Sequence, residues 1–249
     1  MNIDLRKYLQ HNHNQLTWKE RIEIAYDIIA ALIYIHEEDA IHRDLHSGNI
    51  LHSTMSYQWY ISDLGFCGPA DKPLNTIYGN LPYIAPEVIA GKGYTKASDV
   101  YSIGMLMWEI SSGQPPFFNY ENKNDYDFAM KIVNGMRPKI APETPLKYKE
   151  LMKQCWDASP LKRPDIRTLY NIIEKINRYY HSINEEQLTN NIKMQLDINV
   201  NTSSNIFDSL VKKFNSKVYI FEGFPEPKKA TEGKLINNTF YYLLYHYFK

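Results

Sequence analysis

His42-Arg43-Asp44-Leu45-His46-Ser47-Gly48-Asn49 decides the reading of this 249-residue chain. It places a carboxylate at Asp44 and, five residues on, an amide at Asn49, both in one short polar stretch. Fourteen residues after Asn49 comes Asp63-Leu64-Gly65. Asp63 is a hard anionic oxygen donor suited to Mg²⁺, and Gly65 lets the backbone turn immediately behind it. Short strand-like pieces frame these groups: Ala40-Ile41, Asn49-Ile50-Leu51, and Tyr57 to Ile61, with Ser53 to Ser56 as the turn between the last two. Alone, the His-Arg-Asp triplet would read as a solvated turn.

Upstream, Thr17-Trp18-Lys19-Glu20 is a capping box. Ile22, Ala25, Ile29 and Leu32 recur behind it at helical spacing, which predicts a largely buried helix from Trp18 to about Glu37. Downstream, residues 65 to 91 show no lasting period and many Gly and Pro, so they read as one extended loop. Four further helices follow. The first runs from Thr95–Ser98 to Gly113, a natural C′ residue, and the second from Asn124 to Asn134. The third opens at Thr144-Pro145, read as N-cap and N1, and the fourth is capped by Asp165. After Ser182 the chain turns Asn-rich, and residues 184–249 are expected to be a flexible tail, with one short helix near Phe207 to Phe214.

Bulk properties narrow the partners. Lys and Arg number 28 and Asp and Glu 28, so no net field draws the chain to nucleic acid or to an anionic membrane. The aromatic run Phe240 to Phe248 is far short of a spanning helix. Cys67 and Cys155 make no disulfide framework and no metal cluster, which fits a reducing, cytoplasmic setting. His36, His46 and His52 lack zinc spacing with any cysteine.

Further motifs stand in register with the first. Ala85-Pro86-Glu87 closes the long loop, Asp99-Val100-Tyr101-Ser102-Ile103-Gly104 opens the next helix, and Cys155-Trp156 precedes Arg163-Pro164. Together with H-R-D-x-x-x-x-N and D-L-G they resemble the eukaryotic protein kinases, and within them the tyrosine-kinase-like group. The likeness covers residues 4 to about 180. It implies a mainly α fold, the second lobe of a kinase domain (1–183) with a few short strands at its cleft, using ATP and Mg²⁺ on protein hydroxyls. By the same resemblance Asp44 orients the substrate hydroxyl and accepts its proton, while Asn49 and Asp63 hold metal. Arg43 would pair with a phosphate on Thr76 or Tyr78, Tyr83 would pack in the substrate groove, Glu87 and Arg163 would form a buried ion pair, and Asp99 would anchor the catalytic turn.

The pattern is also broken. No Gly-x-Gly-x-x-Gly occurs, and neither the strand lysine nor the helix glutamate of the first lobe is found, so the chain reads as a truncated gene model, a fragment or a one-lobe protein. Transfer by these 249 residues alone is expected to be absent, and the alternative is a pseudokinase-like binding module. His46 stands where serine/threonine kinases usually carry lysine, and Asn80 where they carry threonine, yet the loop does not fit tyrosine kinases either. Serine and threonine are favoured as acceptors. The face near Ile41 and Ile61 is expected to be partly bare, so that the isolated chain self-associates or needs a partner.

Overall fold

In this computed structural model the described residues are 3–69, 76–120, 124–183, 215–221, 223–229 and 231–232. The chain enters as β1 (Ile3–Asp4) and α1 (Leu5–Asn12). Asp4 starts α1 by accepting the Lys7 amide at 2.9 Å. α1 leaves little periodic signal in the sequence, since only Leu5 and Leu9 mark its apolar side. α2 (Trp18–Glu37) begins at the capping box, where the Thr17 hydroxyl accepts the Glu20 amide and the Glu20 carboxylate accepts the Thr17 amide.

Next come β2 (Ala40–Ile41), β3 (Ile50–His52) and β4 (Trp59–Ile61). β3 lies between β1 and β4, antiparallel to both, with Ile50 opposite Ile61 and Ile3 opposite His52. The stretch 65–91, expected as one loop, is more ordered than that. It holds β5 (Gly68–Pro69), which pairs with β2, then β6 (Ile77–Gly79) and the short α3 (Pro86–Ile89). Such two- and three-residue elements leave no periodicity to read; Pro86 at the first helical position was the available sign. Ile41, paired through β2 with β5, is buried, which corrects the expectation of partial exposure at that residue. Ile61 is partly buried against the core.

α4 (Lys96–Ser112) is the central helix: every residue from Ser98 to Ser111 is buried. It runs from Thr95, another reciprocal cap with Ser98, to Gly113 in the left-handed conformation. α5 (Asp125–Val133), β7 (Met136–Arg137), α6 (Leu146–Cys155) and α7 (Ile166–Ser182) complete the lobe, with α2 against α7 and α4 against α6. α6 starts one residue later than expected. Pro145 keeps an extended ψ of 137° and is itself the N-cap, while Thr144 is buried.

Within the segment expected to be a tail, the described residues 215–221, 223–229 and 231–232 lie against the lobe. β8 (Lys217–Tyr219) pairs antiparallel with β6, and β9 (Thr231–Glu232) pairs parallel with β7. Tyr219 is buried, and Phe221 and Phe224 pack on the core beside Tyr126. The apolar run Val218 to Phe221 supplies surface that the Asn-rich average conceals. The short helix expected near Phe207 to Phe214 lies outside the described residues.

Candidate active site

The site is assembled on the turn between β2 and β3. Arg43 takes a φ of +74°, a strained conformation for a residue with a side chain, and it is held there from below. Buried Asp99 of α4 accepts the His42 amide at 2.8 Å on Oδ2 and the Arg43 amide at 3.0 Å on Oδ1. Its Oδ2 also lies 3.0 Å from His36 Nε2. One carboxylate therefore fixes two consecutive backbone groups, so the next residue, Asp44, is aimed by the helix core.

Asn49 is oriented by its neighbours. Its amide nitrogen donates to the Asp44 carbonyl at 3.0 Å, which leaves the amide oxygen as the metal-competent end. The Asn49 carbonyl in turn accepts both the Ser62 amide, 2.8 Å, and the Ser62 hydroxyl, 2.9 Å. This clasp holds the backbone of Ser62, and with it the start of the Asp63 turn, against the backbone of Asn49. Asp63 is exposed and left-handed (φ 58°, ψ 67°), and it caps the turn Leu64–Phe66. One carboxylate and one amide oxygen, both hard donors, fit Mg²⁺, which takes few protein ligands and fills its shell with phosphate and water.

Asp44 is buried, and its charge is set by opposing effects. Burial pushes the carboxyl up, but the His46 ring, the Ser216 hydroxyl and His42 outweigh it and hold the carboxyl below its usual range. In the sequence His46 stands where serine/threonine kinases usually carry lysine, and the structure gives it a part in setting Asp44. Its Nδ1 accepts the Gly48 amide at 3.0 Å, so in the neutral ring the proton sits on Nε2, which faces Asp44 Oδ2 at 3.7 Å. Ser216 completes the cluster: its hydroxyl donates to Asp44 Oδ1 at 2.8 Å and lies 3.0 Å from His46 Nε2. Ser216 was missed, although Lys217-Val218-Tyr219-Ile220-Phe221 carries the β-forming signature that could have drawn attention to it.

The remaining predicted residues are distributed around this centre. Arg43 sends its guanidinium to the carbonyls of Phe66, 3.2 Å, and Pro69, 2.9 Å. Thr76 is exposed, while Tyr78 stacks on Phe66 with centroids 3.6 Å apart and exchanges backbone hydrogen bonds with the Tyr94 hydroxyl. Tyr83, expected in the groove, is instead buried beneath it, donating to Glu109 at 2.6 Å. Glu109 also accepts the Ser47 hydroxyl at 2.8 Å, and Ser47 accepts Arg6 at 3.1 Å, a buried network under the catalytic turn that sequence spacing could not reveal. Further out, Arg163 grips Glu87 through two bonds of 2.6 Å.

Comparison with known proteins gives the family. The family model for protein tyrosine and serine/threonine kinases matches residues 1–173. The chain belongs to the protein kinase family. This kinase chain is 33% identical over 174 residues to a "Probable LIM domain-containing serine/threonine-protein kinase" of Dictyostelium discoideum, covering 69% of the chain and 26% of that protein. A Dictyostelium dual specificity protein kinase is 32% identical over 187 residues, with 70% and 24% covered. The human dual serine/threonine and tyrosine protein kinase is 33% identical over 175 residues, with 69% and 18% covered. The chain thus spans about a quarter or less of the length of these curated relatives. Among the described residues no helix is long and apolar enough to cross a membrane.

Proposed function

We propose that this chain supplies the catalytic lobe of a cytoplasmic protein kinase that transfers the ATP γ-phosphoryl group to serine and threonine hydroxyls of proteins. The observation that carries the reading is the Asp44–Asn49–Asp63 constellation, positioned by Asp99 below and the Ser62 clasp beside it. Phosphoryl transfer depends mainly on positioning and charge stabilisation, so a base and two oriented oxygen donors are what the chain must contribute. Asp44, kept ionised, accepts the hydroxyl proton and points the oxygen at phosphorus. Asn49 and Asp63 would hold Mg²⁺, which supplies charge neutralisation to the phosphates when bound. The choice of serine and threonine draws on the printed name of the LIM domain relative, a serine/threonine kinase, while the dual specificity relatives are named for both kinds of acceptor.

The 249 residues contain no glycine-rich phosphate loop, so on their own they should transfer at background rates. The test joins the chain to the glycine-rich lobe of a related dual specificity kinase and supplies Mg-ATP with serine, threonine and tyrosine peptides. Serine and threonine peptides should be labelled, and Asp44→Asn should cut the rate by about 10²–10⁴-fold. Equal rates for wild type and Asp44→Asn would refute the assignment of the base, and a dominant tyrosine signal would refute the acceptor preference.

Regulation by the loop belongs to the same reading. The Arg43 guanidinium already ties the catalytic turn to the loop start, so a phosphate nearby would compete for it. Exposed Thr76 is the favoured position over Tyr78, whose ring is stacked and whose backbone is held. In the joined enzyme, Thr76→Ala should remove activation by an upstream kinase while leaving basal transfer. Full activation of that variant would count against this role.

A further inference from the structure

The chain returns to its own active site. β8 lies antiparallel along β6, with Ile77 opposite Tyr219, Tyr78 opposite Val218 and Gly79 opposite Lys217. One residue before this ladder, Ser216 reaches Asp44. Because Gly48 occupies Nδ1 of His46, the Nε2 proton is available to Ser216 Oγ at 3.0 Å, while the serine proton goes to Asp44 Oδ1 at 2.8 Å. This is the position an acceptor hydroxyl must take for Asp44 to receive its proton. A tail covering apolar surface for its own sake would not need a polar side chain there.

Neighbouring features fit an occupied groove. Gly79 has a φ of +138°, and a Cβ at this position would stand 3.3 Å from Asp44 Oδ1 and 3.4 Å from Ile84. Tyr219, three residues after the serine, is 7% exposed, whereas Val218 and Ile220 on either side are 58% and 84% exposed. Tyr219 and Phe221 therefore share the inward face of the strand, and Ser216 reaches Asp44 from the extended residues just before it rather than from that face. Lys217 pairs with Asp125 at 2.6 Å, an exposed contact that adds orientation more than energy. Farther along, the Lys228 amide donates to the Val133 carbonyl at 2.8 Å. Gly135 has to be glycine here, since a Cβ on it would lie 2.2 Å from the Lys229 carbonyl oxygen.

We infer that residues 215–221 are an intramolecular peptide ligand of the acceptor groove, and that the groove takes an extended strand with serine on Asp44 and an aromatic residue three positions later. The inference rests on the reading of Asp44 as the base, and it makes the docked segment and an outside acceptor peptide mutually exclusive. Three forms of the 249-residue chain serve as the test: wild type, Tyr219→Ala and Ser216→Glu, which sets a second carboxylate against Asp44. A labelled synthetic peptide of residues 215–221 is titrated into each, and amide hydrogen exchange is followed at residues 77–79.

Both variants should exchange faster at residues 77 and 79 and bind the peptide at least about tenfold more tightly than wild type, roughly 1.4 kcal/mol, while the Tyr78 amide stays bonded to the Tyr94 hydroxyl. The same peptide carrying Ala in place of the tyrosine should not bind them. Unchanged exchange in both variants, or equal peptide binding by all three proteins, would overturn the inference. Neither readout needs phosphoryl transfer. In the enzyme joined to a glycine-rich lobe, absent transfer with intact peptide competition would remove the enzymatic reading alone, and transfer without competition would remove this one alone.

Discussion

At the residue scale, the geometry around Asp44 depends on small groups that hold larger ones. Gly48 is the clearest case. A Cβ there would lie 2.8 Å from His46 Cε1 and 2.9 Å from Nδ1, so alanine would push the ring away from Asp44 and Ser216. Gly48→Ala should therefore loosen the docked strand, read as faster exchange at residues 217–219, with little change in thermal unfolding of the lobe. Exchange at wild-type rates would show that His46 does not hold Ser216. The Glu87–Arg163 pair poses the opposite problem, since both side chains are buried and joined through two 2.6 Å bonds. Arg163 additionally donates to the carbonyls of Asp157 and Ala97. Arg163→Met would strand the carboxylate and should cost about 3–5 kcal/mol in urea unfolding. A loss under about 1 kcal/mol would mean that water or a rearranged partner reaches Glu87.

At the element scale, the packing of α4 against α6 is the tightest joint that can be tested cleanly. A Cβ at Gly104 would meet Cys155 Cβ at 3.0 Å, the Trp156 amide nitrogen at 3.2 Å and the Met152 carbonyl at 3.3 Å. Two of those neighbours are backbone, which cannot turn aside, so Gly104→Ala should destabilise the lobe by about 1–3 kcal/mol. A Tm equal to wild type would show that the helices separate at little cost. This scale also shows what the sequence made legible. α2 and α4 could be placed because each opens on a reciprocal cap and buries a long apolar stripe. The carboxylate–amide–carboxylate set was legible because its members sit at fixed short separations. By contrast, β8 is three residues long and its partner β6 lies some 140 positions away in the chain, a pairing that no local period encodes. Ser216 and the Arg6–Ser47–Glu109–Tyr83 network escaped for the same reason, as their contacts are made by tertiary approach alone.

At the scale of the whole molecule, two partly buried groups set opposing pH dependences on stability. His13 packs under Gly113, with Arg21 nearby, and burial together with that charge lowers its pKa to about 4. The unfolded chain takes up this proton near pH 6.5 but the native chain only near 4, so this contribution to stability falls as the pH drops from 6.5 to 4. Asp27 accepts the Trp59 amide at 3.2 Å, yet burial raises its pKa to about 6, with Glu23 adding to the rise. The unfolded chain releases that proton near 3.8 and the native chain only near 6, so this contribution falls as the pH rises from 3.8 to 6. Each effect amounts to about 1 kcal/mol once partial water contact is discounted. Across pH 4 to 6 the two nearly cancel in the wild-type chain. Asp27→Asn keeps an acceptor for Trp59 but abolishes the second titration, so its stability should climb with pH through this window. At pH 7 it should exceed wild type by about 1 kcal/mol, because an ionised, half-buried carboxylate has been removed. Urea midpoints at pH 4.5, 5.5 and 7 for the two proteins decide the matter, and curves that stay parallel would show that Asp27 titrates alike in the folded and unfolded chain.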